Sequence, residues 1–115
     1  MPLLNRPDLL LELLASLDLP VQTLAVVDNS GGSAAETEVR SVLDRLERHG
    51  HPLVASVRIA RPFGNAGVAA SWNLILRSFP DAAATLLINN DVRLVPGALA
   101  QALGQLSPAL SLIHI

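Results

Sequence analysis

Residues 23–32 read TLAVVDNSGG, a short apolar run that passes directly into a polar segment ending in two glycines. An aliphatic run without alternation is typical of a strand buried on both faces, as occurs mainly in parallel sheets. Asp, Asn, Ser and Gly all favour turns, so residues 28–32 are predicted to be the loop after this strand. The stretch therefore indicates an α/β fold built on a parallel sheet.

Helix and strand patterns alternate along the chain on both sides of this strand. The predicted strands are residues 1–4, 23–27, 54–60 and 84–88, and the predicted helices begin near Pro7, Ser33, Val68 and Pro96. The first strand is only a stump. Strict alternation of short apolar strands with helices predicts a parallel sheet covered by helices, a three-layer Rossmann-like arrangement with helices on both faces.

Local signals mark the helices. Pro7 suits the first turn of a helix, and the leucines at 9, 10, 13, 14 and 17 fall on one helical stripe that ends before Pro20. Ser33 and Glu36 have the spacing of a capping box. Trp72, in the third helix, is predicted to be a core residue.

Composition bounds the class of protein. The 115 residues suit one domain, with 50% hydrophobic but only 3% aromatic residues, a net charge of −2 and no cysteine. The charge balance offers no basic patch for nucleic acid, and disulfides are excluded. The N-terminus lacks a signal-peptide pattern, and the prolines and glycines after residue 94 argue against a transmembrane helix. We therefore expect a cytoplasmic protein.

Ligands of parallel α/β sheets bind outside the carboxyl ends of the strands. Four loops are predicted at that edge, here called the rim loops: residues 4–7 (LNRP), 28–32 (DNSGG), 61–67 (RPFGNAG) and 89–92 (NNDV). A dinucleotide-binding fold needs a glycine-rich first loop, and LNRP has no glycine, so that class is excluded.

Several rim-loop residues are candidates for ligand binding. Asp28 is a carboxylate at a strand end, able to accept hydrogen bonds from a ribose or a base; ordinary turn chemistry is the alternative. Gly64 and Gly67 flank Asn65 where a strand passes to a helix, so backbone amides face the rim, although a glycine-assisted turn would look the same. Asn73, in an otherwise apolar helix, is predicted to be buried and to need partners.

The last rim loop carries Asn89, Asn90 and Asp91 directly after an apolar run. A lone Asp at a strand end is usually a cap or turn residue. Placed opposite Asp28 in a shared cleft, the Asp91 carboxylate would suit a hard cation, magnesium or manganese, which takes oxygen ligands from carboxylates, phosphates and water.

Taken in order, PLLNRPDLL, LAVVDNSGG, NAGVAASWN and LLINNDVRLVPGAL resemble the donor-binding half of family-2 glycosyltransferases of the GT-A type. The resemblance covers residues 1–107, with every landmark in sequence order. It implies the GT-A nucleotide-binding half as the fold. It also implies inverting transfer of a sugar from a nucleotide-sugar donor to a glycan or lipid-linked acceptor, as in polysaccharide biosynthesis.

The resemblance also implies roles for single residues. Asp28 would contact the base or ribose, and Asn5, Asn65, Gly67, Asn73 and Asn89 would complete the nucleotide-sugar pocket. The Asp-x-Asp element of the family falls on residues 89–91, so Asp91 would hold a magnesium or manganese ion that bridges the diphosphate. Asn89 stands where the family has the first carboxylate, which lowers the charge of the site.

A second departure concerns the end of the chain. Family members continue into an acceptor-binding half that supplies the catalytic base, so no catalytic residue is expected in this chain and the fragment alone is expected to be inactive. Residues 108–115 do not read as that continuation, and their last six, LSLIHI, resemble translated sequencing adapter. We therefore expect a fragment cut short at both ends, with residues 1–107 as the partial donor-binding domain and the full-length enzyme at the inner face of the membrane.

Two other classes stay open. A sugar-nucleotide pyrophosphorylase-like nucleotidyltransferase shares the broad architecture, but its first loop is normally rich in glycine and basic residues, and LNRP offers only Arg6. A non-catalytic α/β interaction module would dock a partner through apolar surface and ignore nucleotides.

Overall fold

The computed structural model describes residues 1–106. Its strands are β1 (Pro2–Leu3), β2 (Val21–Asp28) and β3 (Val54–Ala60), and its helices are α1 (Pro7–Ala15), α2 (Glu36–His49), α3 (Val68–Ser78) and α4 (Ala98–Leu106). The predicted tail, residues 108–115, lies outside the described residues. Strands and helices alternate from β1 to α3, as predicted, so the chain has an α/β fold.

The sheet is parallel, as the apolar character of residues 23–27 predicted. Its three strands lie in the order β1-β2-β3, with β2 at the centre. Leu3 pairs with Asp28, and on the other side Val27 pairs with Ala60. This register brings the carboxyl ends of the three strands to one edge, and with them the first three rim loops.

Two hydrophobic clusters flank β2. Leu24 and Val26 belong to a large cluster that includes Leu13 of α1 and Leu43 of α2. Their neighbours Ala25 and Val27 belong to a smaller cluster with Ile75 of α3. Successive side chains of a strand point to opposite faces, so the continuous apolar run of β2 supplies both clusters.

The predicted strand over residues 84–88 is wrong. The segment has one bridge residue, Thr85, but it forms no strand. It nevertheless packs beside the start of the chain, since Ile88 shares the large cluster with Met1 and Leu3. β1 has only two residues, one of them a proline without an N–H, so it offers almost no ladder to a further strand.

The helices form in the predicted parts of the chain, but two of them begin later than predicted. Of the predicted leucine stripe, Leu10, Leu13 and Leu14 of α1 are buried, as is Leu17 just after the helix, whereas Leu9 is half-buried. The predicted capping box is not formed, because α2 begins only at Glu36. Ser33 Oγ instead accepts from the Ala35 N–H, and Glu36 Oε2 accepts from the Gly32 N–H. The last helix begins at Ala98, two residues after the predicted start.

Candidate functional site

A cavity of about 230 Å³ lies at the carboxyl edge of the sheet. Its lining residues belong to β1, to all four rim loops and to the start of α3. They are Pro2, Leu4, Asn29, Asn65, Gly67, Val68, Asn89, Asn90 and Asp91. The lining is rich in side-chain amides, and Asp91 is the only charged residue among the described residues that form it. We call this cavity the amide cleft.

The fourth rim loop reaches the amide cleft without the help of a strand. Asn90 Nδ2 donates to the carbonyl oxygens of Asn5 and Arg6, each at 3.1 Å. Further along, the Leu94 N–H donates to Ser16 Oγ and the Gly97 N–H donates to Asp18 Oδ2. These contacts fix the loop to the ends of α1, so Asp91 is held at the cleft by tertiary hydrogen bonds.

The third rim loop is shaped by its own amide side chain. Asn65 Oδ1 accepts from the Gly67 N–H at 2.9 Å, an Asx turn at the start of α3. Gly67 is the N-cap of α3 with φ of 82°, a backbone conformation that favours glycine. Both predicted residues, Asn65 and Gly67, line the amide cleft.

Asn29 is a lining residue that was not predicted from the sequence. It follows Asp28 at the end of β2 and is 3% exposed. Its Nδ2 donates to Ser71 Oγ at 2.9 Å, and its Oδ1 accepts from the Ala66 N–H at 3.0 Å. Asn29 lies in the turn-forming DNSGG segment, where an asparagine is ordinary turn chemistry. The signal that could have identified it is the alternation of side chains along a strand, which points Asn29 and Asp28 to opposite faces.

Asp28 is buried beside the amide cleft but does not line it. Its Oδ1 accepts from the Ser30 N–H and the Ser30 hydroxyl, and its Oδ2 lies 3.7 Å from Arg61 Nε. Arg61 also pairs with Asp44 at 3.3 Å and Glu47 at 3.6 Å. The structure therefore places Asp28 in a cluster of charges, whereas Asp91 faces the amide cleft.

Of the remaining predicted site residues, one lines the amide cleft and two do not. Asn89 lines the amide cleft. Asn5 does not line it, but its carbonyl oxygen holds Asn90. Asn73 is exposed and outside the cleft, so the prediction that its amide is buried is wrong. Ser71 and Ile75 are the buried positions of α3, and a residue midway between them on a 3.6-residue helix faces away from the sheet.

Trp72 is half-buried, which agrees only partly with its predicted place in the core. Its indole Nε1 is buried without a hydrogen-bond partner among the described residues.

The acidic residues of the described part of the chain do not form a ready-made metal site. Residues 1–106 contain no group of three or more His, Cys, Asp or Glu side chains placed to hold an ion. A cation at Asp91 would therefore need oxygen ligands from amides, water or a phosphate. Within the same residues, no helix is long and apolar enough to cross a bilayer.

Comparisons with protein-family models, with curated proteins and with solved structures returned no match for this chain.

Proposed function

We propose that this chain is the donor-binding part of a family-2 glycosyltransferase of the GT-A type. The observation that carries the proposal is the amide cleft, to which residues from all four sequence landmarks contribute. Convergence of these landmarks at the carboxyl ends of a parallel sheet is the arrangement in which α/β folds bind nucleotides. The three-layer arrangement of the GT-A nucleotide-binding half is part of the proposal, as is inverting transfer to a glycan or lipid-linked acceptor.

The amide cleft suits the phosphosugar part of the donor. Its volume of about 230 Å³ lies below the roughly 300–1,000 Å³ of typical small-molecule pockets, so a whole nucleotide sugar would extend beyond it. Amides both donate and accept hydrogen bonds, which matches the hydroxyls of a sugar. The base or ribose would then lie on the side of Asp28, where the Asp28 Oδ2 and Arg61 are paired.

A magnesium or manganese ion is the proposed cofactor, held by Asp91. Asn89 lines the same cleft and can hydrogen-bond a metal-bound water or a sugar hydroxyl. With one carboxylate available, the diphosphate itself would supply much of the negative charge that binds the ion. Metal and nucleotide are therefore expected to bind together.

The reaction needs parts beyond the amide cleft. The proposed catalytic base and acceptor site belong to an acceptor-binding half, so the 115-residue chain alone is expected to turn over nothing. The full enzyme would work in polysaccharide biosynthesis, at the cytoplasmic face of a membrane that carries its acceptor.

Titration calorimetry with UDP, dTDP and GDP in the presence of Mn²⁺ tests the proposal. We expect at least one nucleotide to bind, and Asp91→Ala to weaken that binding by about tenfold or more because the ion loses its carboxylate ligand. Asp81→Ala is the matched control, since Asp81 is an exposed acid outside the cleft. No binding of any of the three nucleotides, or equal affinities for Asp91→Ala and the parent chain, would overturn the proposal.

The same titrations, extended to UTP and dTTP, separate the alternatives. A pyrophosphorylase-like nucleotidyltransferase would bind UTP or dTTP in preference to the diphosphates, because its substrate is a triphosphate. A non-catalytic interaction module would give no heat with any nucleotide.

A further inference from the structure

The second residue of the DNSGG loop joins three parts of the site. Asn29 is 3% exposed, and its backbone N–H donates to the Leu3 carbonyl at 2.7 Å, so its own backbone is held by β1. Its side chain leaves β2 and ends at the third rim loop and at α3. The buried Asn29 thus connects β1, the third rim loop and α3, which all contribute residues to the amide cleft.

Its partner Ser71 continues the connection. Ser71 is fully buried, and its hydroxyl donates to the Gly67 carbonyl at 2.6 Å while accepting from Asn29 Nδ2. Gly67 lines the amide cleft and begins α3. The chain of hydrogen bonds therefore runs from β2 through the first turn of α3 and back to the wall of the cleft.

We propose that Asn29 is a positioning residue for the amide cleft: it holds residues 64–67 and the first turn of α3 against the end of β2. The identity of the ligand rests on the proposed function, whereas the positioning role rests on the hydrogen bonds alone. Asn29 acts through Ala66 and Ser71, which place the cleft residues Asn65 and Gly67.

The chemistry of the two contacts requires an amide. Asn29 must accept from a backbone N–H with one terminal atom and donate to a hydroxyl with the other. An ionised aspartate accepts but cannot donate, and leucine of similar size can do neither. Asn29→Asp therefore keeps the contact with Ala66 and loses the donor to Ser71, and Asn29→Leu loses both.

The first readout is hydrogen exchange of the Ala66 amide, measured by NMR in the 115-residue chain without ligand. We expect exchange about tenfold faster or more in Asn29→Leu, because that amide loses its acceptor, and a smaller change in Asn29→Asp. Ser71→Ala is the milder variant should Asn29→Leu fail to fold, and it too is expected to accelerate exchange at Ala66. Exchange at Ala66 that stays at the parent rate in both Asn29→Leu and Ser71→Ala, or in Ser71→Ala alone where Asn29→Leu does not fold, would overturn the proposal.

A matched control separates positioning from general loss of stability. Thr23 is also buried on β2, and its hydroxyl lies 3.2 Å from Ser56 Oγ, far along the strand from the cleft. Thr23→Val is expected to lower Tm while leaving Ala66 exchange at the parent rate. The proposal fails if Thr23→Val accelerates Ala66 exchange as much as Asn29→Leu does.

The second readout is nucleotide affinity with Mn²⁺. We expect the Asn29 and Ser71 variants to lose about tenfold in affinity, and Thr23→Val to keep the parent value. If the parent chain binds no nucleotide, the proposed function falls while Ala66 exchange still decides the role of Asn29. If the parent binds and the Asn29 variants bind equally well, the positioning role is overturned and the proposed function stands.

Discussion

Met1 is buried at the edge of the sheet with its amine inside the protein. The residue is 1% exposed, and its amine nitrogen donates to the Ala25 carbonyl at 2.8 Å. Burial disfavours the charged form, which lowers the pKa of the Met1 amine from 8.0 to about 5. A residue that would ordinarily be a solvated terminus is part of the core.

This burial predicts a pH dependence of stability. Between pH 5 and 8 the unfolded chain binds a proton at the amine and the folded chain does not, so the free energy of unfolding rises with pH across that interval. A difference of three pKa units corresponds to at most about 4 kcal/mol. Urea unfolding at a series of pH values between 5 and 8 measures the slope.

The control for this prediction is the N-terminally acetylated chain, which has no amine to titrate. It keeps every side chain of the parent chain, so the amine is the only titratable group by which the two proteins differ. Equal slopes in the two proteins would contradict the predicted role of the Met1 amine.

Arg6 adopts the left-handed backbone conformation, with φ of 52°, and is the one non-glycine residue in residues 1–106 with positive φ. Its Cβ costs energy there that glycine avoids, so we expect Arg6→Gly to be more stable than Arg6→Ala by roughly 0.5–1 kcal/mol. Both variants lose the exposed ion pair with Asp8, which cancels in the comparison.

Ala34 provides the opposite case, because it is exposed in a turn and lacks positive φ. Ala34→Gly is expected to lose stability, since glycine gains only freedom in the unfolded chain there. Chemical denaturation of the three variants and the parent measures their free energies of unfolding. A lower stability for Arg6→Gly than for Arg6→Ala would refute the strain at residue 6.

At the scale of elements, α2 is held by a narrow buried stripe. Leu43 is fully buried between α2 and the sheet, whereas Leu11, on α1, is 45% exposed. We expect Leu43→Ala to lower the free energy of unfolding by about 2–5 kcal/mol, because it removes apolar contacts and leaves a cavity. Leu11→Ala should cost less than about 1 kcal/mol.

Urea titrations of both leucine variants measure the difference. The same truncation is made on two helices, so helix propensity changes equally and burial is the variable. Similar losses from the two positions would mean that α2 does not pack as described.

The segment after Thr85 illustrates how an element can be replaced by side-chain contacts. Its predicted strand is absent, yet Ile88 enters the core and Asn90, Leu94 and Gly97 are tied to the ends of α1. A ladder would have needed free N–H and C=O groups on β1, which is too short to offer them. Specific hydrogen bonds, instead of strand pairing, hold this segment in place.

At the scale of the whole molecule, the amide cleft exists only because four loops meet. Its low charge follows from its amides, and Asn89 stands two residues before Asp91 in the same lining. Asn89→Asp would add a second carboxylate, so we expect it to raise the affinity for Mn²⁺ with bound nucleotide by about tenfold. Calorimetry at fixed nucleotide concentration measures this change.

The matched control for Asn89→Asp is Asn73→Asp, which adds the same charge at an exposed position outside the cleft. It is expected to leave Mn²⁺ affinity near the parent value. Equal gains from both substitutions would indicate a general charge effect and would count against a metal at Asp91.

Much of the fold could be predicted because its signals are local. The apolar run before Asp28 and the leucine stripe of α1 act within a few residues, and each forms as expected. The start of α2 could not be predicted so well, because Ser33 found partners in its own loop that compete with capping.

The sequence by itself determined the α/β class, the parallel sheet and the first three rim loops at its carboxyl edge, since these follow from periodicity, proline and glycine. Only the tertiary structure decided which side chains face the amide cleft. Asn29 lines it while Asp28 turns to Arg61, because successive residues of a strand point to opposite faces and the packing of α3 sets which face meets the cleft. Asn73 was lost from the site for the same reason, as the buried side of α3 is defined by the sheet beneath it.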